Sequence, residues 1–217
     1  MVSRVRAAKS SKMTVEDASE GAQVAGVREG EALAFAELFR RHQGELWTLV
    51  SSVCEGEEGA EELLRETAMA AWAEAARAEL PAGPWLRRVC ARVLFRQARG
   101  DSRPEALPAP LFDADGLRVE EMGAWPPPEL VGDRDGVRRA VRDVLARLPL
   151  RDRVAWALSD LGQMPVSEIA RVAQEASSEV RRAIHRARLA LREQLEAFFQ
   201  RARNGASLGE PGRASPG

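Results

Sequence analysis

The stretch from Ser177 to Leu195, SSEVRRAIHRARLALREQL, decides the fold of the C-terminal third of the chain. Its apolar residues recur at helical spacing, at Val180, Ile184, Ala187, Leu191 and Leu195. At about 100° per residue these five side chains share one side of a helix. The remaining surface carries the basic residues Arg181, Arg182, His185, Arg186, Arg188 and Arg192. The pattern predicts an amphipathic helix with a cationic outer face.

A shorter helix is predicted just before this stretch, from Pro165 to Val172. Proline is tolerated in a first helical turn, where its missing N–H costs no hydrogen bond. Ser177 or Ser178 then supplies an N-cap for the basic helix. Two helices joined by a brief polar break, the second one basic, are typical of a helix-turn-helix that binds the DNA major groove. The alternative is a surface helix whose arginines are only solvated.

The composition indicates a globular protein over most of the chain. Of 217 residues, 45% are hydrophobic and 30% are charged, which is typical of a packed domain. No run approaches the roughly 20 apolar residues of a membrane span, and residues 1–12 lack the apolar core of a signal peptide. We therefore expect a cytoplasmic protein without membrane contact.

The few cysteine and histidine residues argue against a metal site. Cys54 and Cys90 are widely separated, and the only histidines are His42 and His185. Metal sites normally use closely spaced ligands, so buried free thiols are favoured over a metal site or a disulfide. The sequence shows no nucleophile–base pair and no glycine-rich phosphate loop. We expect neither an enzyme nor a cofactor.

The apolar pattern predicts an all-α fold of two small helical domains. Residues 1–27 form a poorly ordered lead-in, residues 28–99 the first domain, residues 100–132 a Pro-rich acidic linker, residues 133–203 the helix-turn-helix domain and residues 204–217 a flexible tail. Net charge is −2 for residues 31–99, −5 for residues 100–132 and +5 for residues 133–203. The cationic C-terminal part is the one expected to meet phosphate.

The first domain contains three predicted helices, at about residues 31–56, 57–80 and 85–99. The second begins with Glu57 and Glu58, which suits the helix dipole, and its apolar residues, including Trp72, are expected to point inward. The third has a packed apolar side and a basic outer side. That outer side is a second candidate for nucleic acid, and it carries Arg87, Arg88, Arg92, Arg96 and Arg99.

Several motifs resemble those of extracytoplasmic-function sigma factors of bacterial RNA polymerase, over roughly residues 31–199. The C-terminal motifs are LPLRDR at 148–153, EIA at 168–170 and the HRAR segment at 185–188. The N-terminal motifs are FAELFRRH at 35–42, AEELLRET at 60–67 and WLRRV at 85–89. Their order and spacing are similar to the family's region 2, which binds polymerase and opens the −10 element, and region 4, which binds the −35 element.

This resemblance implies a sigma factor that binds core RNA polymerase and directs transcription initiation at specific promoters. It implies −35 DNA contacts from Ser177, Ser178, Arg181, Arg182 and Arg186, and −10 contacts from Arg87, Arg88, Arg92 and Arg96. It implies core polymerase contacts from Glu61, Glu62, Arg65 and Glu66. Many relatives are restrained by an anti-sigma factor, which the resemblance implies as a further partner.

The sequence departs from the family pattern in the −10 region. The family usually has Gln at Arg65, Phe near Ala68, and Asn and Asp near Arg92 and Arg96. The segment 77–84, which would capture a flipped −10 base, has no aromatic side chain for stacking. These departures favour an alternative, a sigma-like regulator that binds polymerase or DNA without melting promoters. A second alternative is a helical protein-binding adaptor.

Overall fold

The computed structural model describes residues 15–100 and 134–207, and all regular structure in these two ranges is helical. The all-α fold class with a C-terminal helix-turn-helix is therefore confirmed. The helices are α1 (Val15–Arg28), α2 (Ala32–Val53), α3 (Glu57–Ala73), α4 (Ala82–Gly100), α5 (Arg134–Arg147), α6 (Leu150–Trp156), α7 (Val166–Ala173) and α8 (Ser177–Ser207).

Helices α1 to α4 form an N-terminal unit around a core of aliphatic side chains. Each helix packs against its neighbour in the chain, and α4 also packs on α2. The most buried side chains face inward at the spacing that the sequence predicts. They include Leu38, Leu46, Leu49 and Val50 of α2, Leu63 and Leu64 of α3, and Leu86, Val89 and Leu94 of α4.

Helix α1 occupies half of the segment predicted to be a poorly ordered lead-in, so that prediction was wrong from Val15 onward. Val24 and Val27 are fully buried. The Nε of Arg28 donates a hydrogen bond of 2.8 Å to the carbonyl oxygen of Ala78. From residue 19 onward, where burial within α1 is described, Val24 and Val27 are the only buried branched residues. This is a weak apolar pattern, so α1 depends on packing against the rest of the unit.

The connection between α3 and α4 differs from its predicted form. Helix α3 ends at Ala73 rather than near Leu80, and a short 3₁₀ turn follows at Ala75–Arg77. Helix α4 begins at Ala82, three residues earlier than expected. The Oε1 of Glu20 accepts a 2.6 Å hydrogen bond from the N–H of Ala82, which satisfies one of the unpaired amides of this helix start.

Helices α5 to α8 form a C-terminal unit. Helix α6 continues into a π turn at Ala157–Leu161, α7 is short, and α8 packs against α5, α6 and α7. Helix α8 extends to Ser207, so residues 204–207, predicted as the start of a flexible tail, are helical. The N–H groups of Glu179 and Val180 both donate to the carbonyl of Ala176 at the start of α8. Ala176 therefore holds the N-cap position predicted for Ser177 or Ser178.

The two units contact each other directly, and their buried side chains form one hydrophobic cluster. Helices α2 and α4 of the first unit pack against α6 of the second, and α4 also contacts α7. The predicted linker at residues 100–132 lies outside the described residues, apart from Gly100 at the end of α4. The expectation that apolar linker residues dock on a domain falls in the same range.

Candidate nucleic-acid interface

The turn between α7 and α8 has the geometry of a helix-turn-helix. Only Gln174, Glu175 and Ala176 separate the two helices. Gln174 adopts a left-handed conformation, with φ 61° and ψ 43°, and the N–H of Glu175 donates 3.0 Å to the carbonyl of Ala170. This arrangement ends α7 and redirects the chain into α8.

An arginine from α6 fixes the position of this turn. The Nε and Nη2 of Arg151 donate to the two carboxylate oxygens of Glu175 at 2.8 and 2.6 Å. A two-point contact between a guanidinium and a carboxylate sets both distance and orientation. Arg151 also lies 4.0 Å from Glu179 in the first turn of α8. The start of α8 is therefore held against α6.

Four of the five predicted −35 residues lie together at this start of α8. Ser178, Arg181 and Arg182 are exposed, and Ser177 is partly exposed. Arg182 forms an ion pair with Glu179, and 54% of its side chain remains exposed. The apolar residues Val180 and Ala183 face the core. The described geometry thus presents two arginines and two hydroxyls on one accessible surface.

Arg186, the fifth predicted residue, points inward. Its Nε and Nη2 donate to the carboxylate of Asp152 at 2.7 and 2.8 Å. The side chain of Arg186 is 13% exposed and that of Asp152 is 1% exposed. A buried charge is tolerated only when it is paired and hydrogen-bonded, so Arg186 compensates Asp152 and joins α8 to α6. It is not exposed with the other four.

The middle of α8 is less cationic than its sequence suggests. The Nε and Nη2 of Arg188 donate to Asp160 at 3.0 and 2.6 Å. Burial, together with the charge of Arg188, lowers the pKa of His185 below its ordinary value. The imidazole therefore remains neutral at physiological pH and adds no charge to the basic face.

All four predicted −10 arginines on α4 are paired with carboxylates of this chain. Arg88 contacts two acidic residues, and the others contact one each. The pairs are Arg87 with Glu45 at 2.9 Å, Arg88 with Glu79 and with Glu168 at 3.4 Å, Arg92 with Glu74, and Arg96 with Glu66 at 2.9 Å. Since each of these four positive charges lies beside a negative one, this part of the α4 surface is close to neutral.

The predicted polymerase-binding residues lie on the outer surface of α3. Glu61 is exposed, and the Nε of Arg65 donates to Glu62 at 2.9 Å. That hydrogen bond lowers the pKa of the Glu62 carboxyl, which stays ionised. Glu66 forms an ion pair with Arg96 of α4. Together with Glu57 and Glu58, these residues give an acidic surface at the start of the helix.

An exposed apolar area adjoins this acidic surface, and the sequence prediction placed part of it inside. Trp72 was expected to point inward, but 40% of it is exposed, and Met69 is 60% exposed. The ring of Trp72 packs on Phe35, with 5.2 Å between centroids. The prediction placed Trp72 inside because it is a large apolar residue. In α3, however, Met69 and Trp72 lie on the same face as the exposed Arg65, at three- and four-residue spacing.

Both cysteines in the described ranges are free thiols, Cys90 buried and Cys54 partly exposed. Among these residues no cluster of three or more His, Cys, Asp or Glu side chains is arranged to hold a metal ion. None of the described helices combines the length and apolarity needed to cross a membrane.

The fold and the exposed basic helix start define an all-α protein with a helix-turn-helix unit. Residues 138–191 match the family described as Sigma-70, region 4, so the C-terminal unit contains a region 4 domain. The fold is similar to that in a structure described as "Structure of CnrH in complex with the cytosolic domain of CnrY". The TM-score is 0.52 with 21% identity, covering 82% of this chain and 98% of that chain. A search of curated proteins gave no match.

Proposed function

We propose that this protein is a sigma factor of the extracytoplasmic-function type, which binds core RNA polymerase and directs initiation at specific promoters. The observation that carries the proposal is the exposed start of α8, where Arg181 and Arg182 follow a turn fixed by Arg151, within a region 4 domain. A helix start held in this way can enter the major groove with a defined orientation.

The −35 contacts divide between positioning and sequence recognition. Ser177 and Ser178 lie at the helix N-terminus, where backbone amides and hydroxyls suit a phosphate. Arg181 and Arg182 project from the next turn and reach either phosphates or guanine edges. A two-point arginine–guanine contact contributes about 1–3 kcal/mol of discrimination between bases. Arg186 supports this surface through Asp152 instead of contacting DNA.

The outer surface of α3 is the proposed contact with core polymerase. Glu61, Glu62 and Arg65 are exposed, and the adjoining Met69 and Trp72 supply apolar area. An interface of this kind obtains much of its affinity from buried aromatic anchors and its specificity from charge. A basic partner surface with an apolar centre would complement it.

A second candidate, a sigma-like regulator that binds polymerase or DNA without melting promoters, is favoured by the neutralised face of α4. Arg87, Arg88, Arg92 and Arg96 would have to leave their carboxylate partners to hold single-stranded DNA. A third candidate, a protein-binding adaptor, is favoured by the exposed Met69 and Trp72. DNA melting separates the first two candidates, and salt-dependent DNA binding separates both from the third.

We further propose a cytoplasmic site of action and a protein that restrains the factor. The similar structure of CnrH is described as a complex with the cytosolic domain of CnrY. An anti-sigma factor with a cytosolic domain would be the corresponding partner here. Binding of such a partner to either unit would compete with polymerase or DNA.

The test incubates the purified full chain with core RNA polymerase and a pool of promoter fragments, and then probes unpaired thymines with permanganate. We expect reactive thymines near the start sites that depend on this protein. Retained polymerase binding without reactivity would support the regulator that does not melt DNA. If polymerase binding and thymine reactivity are both absent, and DNA binding is absent or insensitive to salt, the protein-binding adaptor is the remaining candidate.

A further inference from the structure

The segment between α3 and α4 exposes three consecutive side chains between two buried alanines. Ala78 is 1% exposed and Ala82 is fully buried, whereas Glu79, Leu80 and Pro81 are exposed. Residues 79–81 therefore form an exposed arch whose two ends are anchored in the N-terminal unit. The arch belongs to the segment 77–84, in which the family resemblance implies capture of a flipped −10 base.

Helix α1 contacts both ends of the exposed arch. At one end, the Nε of Arg28, the last residue of α1, donates 2.8 Å to the carbonyl oxygen of Ala78. At the other end, the Oε1 of Glu20 accepts a 2.6 Å hydrogen bond from the N–H of Ala82. Hydrogen bonds of guanidinium and carboxylate groups are stronger than those between neutral groups. Two such bonds from one helix set the separation of the two ends and the orientation of the backbone between them.

The side chain of Glu20 is itself held between helices. Its Oε1 lies 3.8 Å from Nε2 of His42 in α2, and the two side chains are only 17% and 16% exposed. The imidazole in turn lies against the first turn of α4, where a Cβ added to Gly83 would be 3.2 Å from its Cε1. The acceptor of the Ala82 amide is therefore fixed by packing, and α1 and α2 together set where α4 begins.

Leu80 adds an apolar contact between the arch and α1. A Cβ added to Gly21 would lie 3.9 Å from Cδ1 of Leu80, an ordinary van der Waals distance, and Leu80 is still 54% exposed. A base that reaches the arch would meet this side chain and the backbone instead of an aromatic ring. Without a ring for stacking, recognition depends on where the backbone groups are held, and such contacts need positions accurate to about 0.5 Å.

We propose that Glu20 and Arg28 are positioning residues for base recognition at the −10 element, and that α1 holds the exposed arch in the geometry that accepts the base. Each residue acts through the backbone of Ala78 or Ala82 and not by touching the base. The inference rests on the proposed sigma factor function, because the base is a ligand only in that function. The hold of α1 on the arch does not depend on it.

Amide hydrogen exchange of the full chain tests the hold of α1 on the arch, with circular dichroism as a check on folding. In Glu20→Ala and in Arg28→Ala, peptides covering residues 74–84 should exchange roughly tenfold faster, because each variant loses a hydrogen bond to a charged group. Peptides covering residues 44–53 of α2 should be unchanged. Glu20→Gln keeps an acceptor oxygen and Arg28→Lys keeps a donor, so both should restore slow exchange. If one alanine variant does not fold, the other decides.

Gln23→Ala is the matched control. The Nε2 of Gln23 donates 3.2 Å to Oε2 of Glu37, so this substitution removes a contact of α1 with α2 and leaves both ends of the arch in place. The control should exchange at the rate of the unmodified protein. Unchanged exchange at residues 74–84 in folded alanine variants, or an equal acceleration by Gln23→Ala, would overturn the positioning role.

Promoter opening connects the arch with the −10 base. The variants are incubated with core polymerase and with fragments that carry single-base substitutions across the −10 element, and thymine reactivity to permanganate is measured. We expect the unmodified protein to prefer one base at one position by roughly tenfold. Glu20→Ala and Arg28→Ala should lose that preference while binding polymerase equally well, and Glu20→Gln and Arg28→Lys should regain it.

The two measurements separate failure of this inference from failure of the proposed function. A folded variant with faster exchange in the arch and an unchanged base preference would overturn the role of α1 in base recognition. If the unmodified protein opens no fragment, the proposed function fails, and the exchange rates still decide whether Glu20 and Arg28 hold the arch.

Discussion

Arg182 and Arg186 lie one helical turn apart on α8, yet they have opposite environments. Arg182 is half exposed beside Glu179, whereas Arg186 is enclosed with Asp152. The family resemblance implies DNA contacts for both, because the sequence shows only which residues are basic. The partner of Arg186 lies 34 positions earlier in the chain, and helical periodicity carries no information on such a pair.

Replacement of Arg182 by alanine should weaken duplex binding by the full chain by roughly tenfold and reduce the salt dependence of log K by about 0.9. Arg192→Ala is the control, because Arg192 has the same 54% exposure and also pairs with a glutamate of α8. Fluorescence anisotropy over a salt series measures both quantities. Equal effects from the two variants would remove Arg182 from the proposed interface.

At the scale of the elements, the sequence predicted helices α2, α3, α4, α7 and α8, but not α1. Each of these predicted helices has a repeating apolar face or a strong boundary signal, such as Pro165. Helix α1 has Val24 and Val27 at three-residue spacing, a signal too short to separate it from polar surroundings. Its position depends on Glu20 and Arg28, whose partners lie 62 and 50 residues away.

The turn of the helix-turn-helix provides a test of local backbone strain. Gln174 has a positive φ of 61°, a conformation that costs a residue with a Cβ about 1 kcal/mol and glycine little. Gln174→Gly should therefore raise stability by about 1 kcal/mol and Tm by about 2–4 °C in a chain of this size. Thermal unfolding measures the change.

Gln174→Ala is the control for that substitution, because alanine keeps the Cβ in the left-handed conformation. It should melt at or below the temperature of the unmodified protein. A lower Tm for Gln174→Gly would show that the glutamine side chain contributes more than its backbone conformation costs.

At the scale of the whole molecule, the two thiols differ in burial and in location. Burial raises the pKa of Cys90 to about 12, so almost no thiolate forms at pH 8. Burial also raises the pKa of Cys54, although nearby Arg153 opposes the shift. Cys54 is partly exposed and lies beside the contact between the units, whereas Cys90 lies in the core of the first unit.

We expect a thiol reagent at pH 8 to modify Cys54 much faster than Cys90 in the folded chain. In Cys54→Ala the remaining thiol should react only as fast as the protein unfolds, and Cys90→Ala should keep the faster phase. Because folding favours the neutral Cys90 thiol, its contribution to stability is present below about pH 9 and is lost as pH rises toward 12. Rapid modification of Cys90 in folded protein would contradict its burial.

The contact between the units could not be predicted from the sequence. Arg153 belongs to the motif at 148–153 that the resemblance assigns to region 4, and nothing in that motif indicates its partner. Its hydrogen bond to Val53 spans 100 positions of the chain. Local sequence patterns define which helix faces are apolar. Whether such a face packs within its own unit or against the other unit depends on the shapes of the two packed surfaces.

The hydrogen bond from Arg153 to the carbonyl of Val53 at the end of α2 can form only late in synthesis on the ribosome. Val53 emerges 100 residues before the arginine that binds its carbonyl, a delay of about 5–20 s at 5–20 residues per second. During that interval the end of α2 is exposed to water and to other nascent chains. A pause in translation between these two codons lengthens the time for which the N-terminal unit remains incomplete.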